Sequence, residues 1–165
     1  MQVSPSTDFS GYDRSAALAY AKKWAFKRNP AYYNFDALGG DCTNFASQCV
    51  FAGCGVMNYT KDAGWYYLSP DNRAAAWSGV EFLHDFLVAN RAAGPFAVES
   101  SVEKVQPGDL VQLGNGDHFY HTPVVIAVEA GGIYVAAHTY DVFLKPLDSY
   151  FFSQVRFLHI AGARK

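Results

Sequence analysis

Three cysteines and five histidines are the residues in this chain best suited to covalent acyl chemistry, and their settings differ. Cys42 lies in GGDCTNFASQCV, directly after two glycines and Asp41, which predicts a sulfur at the first turn of a helix. Unpaired N–H groups and the positive end of the helix dipole favour a thiolate there. The same N–H groups can hold an oxyanion. Gly39 and Gly40 carry no side chain to shield the sulfur from an approaching substrate. Cys49 falls among Phe45, Ala46 and Val50, and Cys54 between Gly53 and Gly55. Neither shares that electrostatic setting, so both read as inert thiols. An odd number of cysteines cannot all pair within the chain, so at least one stays free or pairs with another molecule.

A nucleophilic thiol needs a base. His121 opens HTPVVIAVE after a glycine-containing loop, which predicts an imidazole at a sheet edge, free to meet a helix end. Pro123 cannot donate to a strand ladder and marks an edge or bulge at this point. His84 sits in a helical segment and His159 in the strand-like RFLHI, where structural roles are the plainer reading. His118 is a second candidate base. The pair His118-x-x-His121 resembles half a metal site, but no cysteine or carboxylate cluster completes it, so no metal and no cofactor are expected.

Helices must come first in this chain and strands afterwards. Asp13 is a plausible N-cap for a helix with Ala17, Tyr20, Ala21 and Trp24 on one face, ending at Asn29-Pro30. Asp41 can cap a second helix from Cys42 to about Ala52, stopped by Gly53 and Gly55. Ser78 and Glu81 form a potential capping box for a third, running to about Ala93 and burying Leu83, Phe86 and Leu87. Beyond Pro95 the period becomes two, with strands expected at 109–113, 120–129, 133–138 and 155–160. This is an α+β pattern: N-terminal helices on a C-terminal antiparallel sheet of four to six strands, in a single domain spanning residues 1–165.

Gly131-Gly132 predicts a hairpin, and its register bears on what orients the imidazole. A symmetric two-residue turn pairs His121 with Val142. One extra residue places Asp141 opposite His121 instead, on the same face. Asp141 is therefore the preferred orienting residue, and His138 would need a larger bulge.

The bulk composition excludes other classes. The 165 residues are half apolar and carry a net charge of −2 with no run of like charge, so no nucleic-acid footprint is visible. No stretch approaches the roughly 18 consecutive apolar residues of a membrane span. Met1 to Gly11 lacks the basic and apolar regions of an export signal. A cell-envelope or extracellular place is expected if such a signal was trimmed, and a cytoplasmic one otherwise. Oligomeric state is not legible.

The segments AALAYAKKWAFKRNP, GGDCTNFASQC, GWYY, PGDLVQLG and HTPVVIAVEAGGIYVAAHTYD resemble the bacterial Putative amidase domain family, related to NlpC-type and CHAP-type peptidases. The resemblance implies a papain-like fold and a cysteine-dependent amidase or peptidase working through a thioester, with a peptide or peptidoglycan-like amide as substrate. It matches Cys42 and His121 to the family's nucleophile and base, and HTYD to its third position. There CHAP-like spacing favours His138, whereas the register argument favours Asp141. Tyr32, Tyr33, Asp41, Asn44 and Trp65 are the candidate oxyanion and substrate residues. Two other functions share these features: an acyl transferase on the same Cys/His pair, and a non-catalytic glycan or peptide module built on Trp65, Tyr66, Tyr67 and Trp77.

Overall fold

In the computed structural model, which describes residues 10–165, Asp13 opens helix α1 (Arg14–Trp24) by accepting a hydrogen bond from the Ala16 N–H at 3.1 Å. The lead in which no export signal is read lies mostly outside the described residues. Helix α1 stops at Trp24, a turn earlier than the Asn29-Pro30 signal predicts. Helix α2 (Cys42–Cys54) starts where the sequence places it and ends on Gly55, whose left-handed conformation suits a residue without Cβ. Gly53 is still helical. A Cβ there would come within 2.5 Å of the Tyr12 ring, so this glycine lets α2 lie close against the entry to α1.

The capping box does not form. A short helix α3 (Ala75–Ser78) precedes α4 (Val80–Ala89), and Gly79 occupies the N-cap of α4. Ser78 Oγ accepts from Arg73 Nε, while Glu81 accepts from the Phe119 N–H and Arg156, so both are drawn away by distant partners. Leu83 and Leu87 are buried on the inner face as expected, each contributing roughly 2 kcal/mol of transfer free energy.

A two-stranded ribbon joins β1 (Tyr67–Ser69) to β2 (Asn72–Arg73). The main sheet has seven strands, more than expected: β3 (Gly94–Ser100), β4 (Leu110–Gly114), β5 (Phe119–His121), β6 (Val124–Glu129), β7 (Gly132–Ala137), β8 (Val142–Pro146) and β9 (Gln154–Arg164). Its order is β3-β9-β4-β6-β7-β8, with β5 paired to β4, and every pairing is antiparallel. Pro123 splits the expected 120–129 strand into β5 and β6. The fold is thus α+β, with the helices N-terminal to the sheet.

Strand alternation sends side chains to two cores. Leu110, Val124, Ala136 and Leu158 join Phe45, Trp65 and Trp77 on the helix side. Val111, Leu113, Val125, Val135 and Phe157 fill the opposite face beneath Leu147. No helix among the described residues is long and apolar enough to cross a membrane.

The β6–β7 hairpin exists, but its register differs from both expectations. Glu129 pairs with Gly132, so the turn is Ala130-Gly131, and an irregularity between Val125 and Ala127 shifts the pairing again to Val124↔Ala136. Gly132 is the first residue of β7 rather than part of the turn. Asp141 therefore does not face His121, which pairs instead with Leu113 of β4.

Candidate active site

Helix α2 delivers Cys42 with its thiol pointing at the junction between β5 and β6. The backbone N–H of Thr122, the residue after His121, is directed at the sulfur, as are the N–H and hydroxyl of Thr43, the hydroxyl at 3.8 Å. Thr43 Oγ1 and Thr122 Oγ1 lie 3.0 Å apart, and Gln112 Nε2 donates to Thr122 Oγ1 at 3.3 Å, tying the first turn of α2 to the sheet. Burial, the largest influence, pushes the Cys42 thiol above its usual range, against the pull of these donors. The dipole argument predicts a lowered value. It loses because Cys42 is only 7 % exposed.

His121 is also buried. Its loss of hydration, and secondly the Lys145 ammonium nearby, hold the imidazole down to about 4. At neutral pH the pair is therefore a thiol and a neutral imidazole. Among the described residues the His121 ring makes no hydrogen bond; it packs against the Tyr150 ring at 5.5 Å between centroids. Tyr150 follows the 3-10 turn Leu147–Ser149, and burial with the charge of Cys42 pushes its phenol up to about 12. The Lys145 ammonium lies 4.0 Å over the same ring. Cys42, His121, Tyr150 and Lys145 thus form one cluster.

Two of the four are invisible in the sequence. The path to Lys145 runs through Leu144, whose φ is +60°, a left-handed conformation disfavoured for leucine by about 1–2 kcal/mol. The β7–β8 register shifts there, from Val135↔Lys145 to Ala137↔Val142. As a result Phe143 packs with the helix-side core while Lys145, two residues on, reaches Tyr150 on the other side. Simple alternation would put both on one face. Thr122, by contrast, adjoins the predicted base and could have been named from HTP.

The residues expected to orient the base belong to a different assembly. Asp141 binds Arg28 through both oxygens at 2.9 Å. His138 donates from Nδ1 to Asp41 Oδ2 at 2.6 Å and from Nε2 to the Trp24 carbonyl at 2.8 Å. Both ring nitrogens of His138 are thus engaged, and the Phe45 ring stacks on it at 4.0 Å. Asp41 also accepts from the Phe35 N–H and Asn44 Nδ2, with Arg28 Nε at 3.4 Å. Burial pushes its carboxyl up, but the bonds from His138, Asn44 and Phe35 together outweigh it and hold the group below its usual range. Thr139 Oγ1 accepts from the Asp41 N–H at 2.9 Å, and a Cβ on Gly40 would crowd that oxygen at 3.1 Å. The motif HTYD therefore wraps the residue before the cysteine and leaves the base alone.

The candidate substrate residues are largely interior. Asn44 is spent on Tyr33 O, Asp41 and Trp77 Nε1. Asp41 occupies the N-cap position of α2 as expected, but its side chain bonds no N–H of the helix. Trp65 and Trp77 are wholly buried and pack at a tilt, 4.7 Å between centroids, so they offer no platform to a ligand. Tyr32 stacks on Trp77 at 5.8 Å, and Tyr33 is partly exposed at the surface. His159 bonds Asp109 and His84 bridges Asp85 and Glu99, while His118 is exposed. Cys49 is fully buried with its thiol well above the usual range, and burial pushes Cys54 up to about 11. No group of three or more metal-ligating side chains is assembled among the described residues.

Comparison with known proteins adds a family. The chain is 38% identical over 137 residues to YhbB of Bacillus subtilis (strain 168), a protein described as uncharacterized; the match covers 79% of this chain and 42% of the relative, so the chain spans less than half of that protein. No solved structure matches. The family model described as Putative amidase domain matches residues 11–160, and the chain belongs to that family.

Proposed function

We propose that the protein is a cysteine-dependent amide hydrolase of papain-like type, with Cys42 as nucleophile and His121 as base. The observation that carries this reading is the placement of the Cys42 thiol at the head of α2, against the N–H of the residue that follows His121. His121 takes the Sγ proton as sulfur attacks the amide carbon, and the oxyanion is held by N–H groups at the α2 N-terminus. The imidazolium then protonates the leaving nitrogen, the C–N bond breaks and a thioester remains. Water, losing its proton to His121, attacks the thioester carbon and the proton returns to Sγ. In the free protein His121 lacks a hydrogen bond to sulfur, so the contact forms as substrate enters.

Cell-wall peptides of bacteria are the proposed substrate class, consistent with a family named for amidases and a relative from Bacillus. An envelope location follows from that proposal alone. The test is turnover of peptidoglycan-derived peptides together with intact-mass detection of an acyl adduct on Cys42. Cys42→Ala should reduce hydrolysis by about a thousandfold or more with the fold unchanged by circular dichroism. Undiminished hydrolysis by that variant would overturn the assignment. Transfer to an added amine, seen as a new product, would identify the acceptor as other than water.

A further inference from the structure

Half-buried Lys145 and the Tyr150 ring beneath it are the members of the Cys42 cluster without a role in that chemistry. Its ammonium has no carboxylate within ion-pairing distance among the described residues, and its contact is the face of Tyr150. Asp36 and Asp141 pair with Arg28, and Asp41 with His138 and Arg28, so none of these carboxylates answers Lys145. A cation beside a general base is also adverse to the base, because it opposes the imidazolium that His121 must become.

The chain nevertheless goes out of its way to place the cation there. Leu144 is held at φ +60°, and the resulting shift in register turns Lys145 away from the side of Phe143 and toward Tyr150 and His121. Strained backbone next to a reactive pair is a recurrent mark of function. An unpaired ammonium on an aromatic face beside a buried imidazole is suited to one kind of guest, an anion carried by the substrate.

We propose that Lys145 is a carboxylate-recognising residue of the Cys42 site, selecting amides that bear a free carboxylate close to the scissile bond. This rests on the amide-hydrolase reading for the word substrate, though the anion site itself does not. A bound carboxylate also neutralises the cation that opposes His121, so the correct substrate raises the basicity of the group that must act on it. Amides lacking the carboxylate leave the base in its resting, weakened condition.

The test uses two thiol reagents of similar size, anionic iodoacetate and neutral iodoacetamide, with alkylation of Cys42 followed by peptide mapping. The wild-type protein should show a ratio of iodoacetate to iodoacetamide rates roughly tenfold above that of Lys145→Met, about what one desolvated charge pair supplies. Lys145→Arg should keep most of the preference, and added salt should erode it. Equal ratios in wild type and Lys145→Met would overturn the proposal. The two readings fail separately. Loss of turnover in Cys42→Ala with no charge preference in alkylation would leave the hydrolase and remove the anion site. A clear preference alongside undiminished turnover in Cys42→Ala would do the reverse.

Discussion

Asp41 and Cys42 share a peptide bond but meet opposite conditions. On the Asp41 side partners converge: His138, Asn44 and the Phe35 N–H bond one carboxylate, Asp141 and Asp36 bind the Arg28 guanidinium, and only Arg28 Nε, 3.4 Å from Asp41, lacks a hydrogen bond among these groups. On the Cys42 side the thiol is buried above its usual range, His121 has no hydrogen bond among the described residues and Lys145 no carboxylate. The difference separates scaffold from chemistry. A satisfied network resists change and holds the helix end in place, whereas unsatisfied groups are what a substrate can complete.

Breaking the answered side should have the largest effect on stability. Asp41→Ala leaves the buried His138 ring without its carboxylate partner and strips Asn44 and the Phe35 N–H of their acceptor, and should destabilise the fold by about 3–5 kcal/mol in urea titration. A loss under 1 kcal/mol would mean that the network is dispensable.

The unanswered side has a pH signature of its own. The His121 imidazole is held at about 4 in the fold against about 6.5 in the unfolded chain, so the unfolded state takes up a proton first as pH falls. This contribution to stability is intact above pH 6.5 and is lost between about pH 6.5 and 4, roughly 3 kcal/mol in all. His121→Gln should flatten that part of the profile. An unchanged slope would show that other groups govern it.

The smallest effect is expected at Leu144. Glycine accepts a φ of +60° without strain, so Leu144→Gly should gain up to about 1 kcal/mol in thermal unfolding, the side chain being about half exposed. A marked loss would mean that the leucine side chain supports the bulge.

These contrasts also explain what could be foreseen. Asp13, Cys42 and Gly55 speak through local rules of helix ends, and α1 and α2 begin where those rules place them. The Ser78–Glu81 box satisfies the same rules and fails, because Phe119 and Arg156, far along the chain, compete for Glu81. The hairpin was legible from its glycines, yet its register turned on Gly132 belonging to the strand and on a bulge near Ile126, neither of which alternation reveals. Asp141 was misassigned for a related reason: its partner Arg28 is 113 residues away. Lys145 and Tyr150 escaped notice because one left-handed leucine decides which side of the sheet they share.

The pairing of Thr43 with Thr122 has a consequence for the order of folding. Those hydroxyls are 79 residues apart in the chain, and Asp41 and His138 are 97 apart. Closing loops of that length is slow compared with forming a helix. During synthesis α2 emerges early, long before β5 and β7 exist to frame it. A nascent chain would therefore carry the thiol for some time without His121 or the Thr122 N–H beside it. On the amide-hydrolase proposal, hydrolysis would arrive only with the completed sheet.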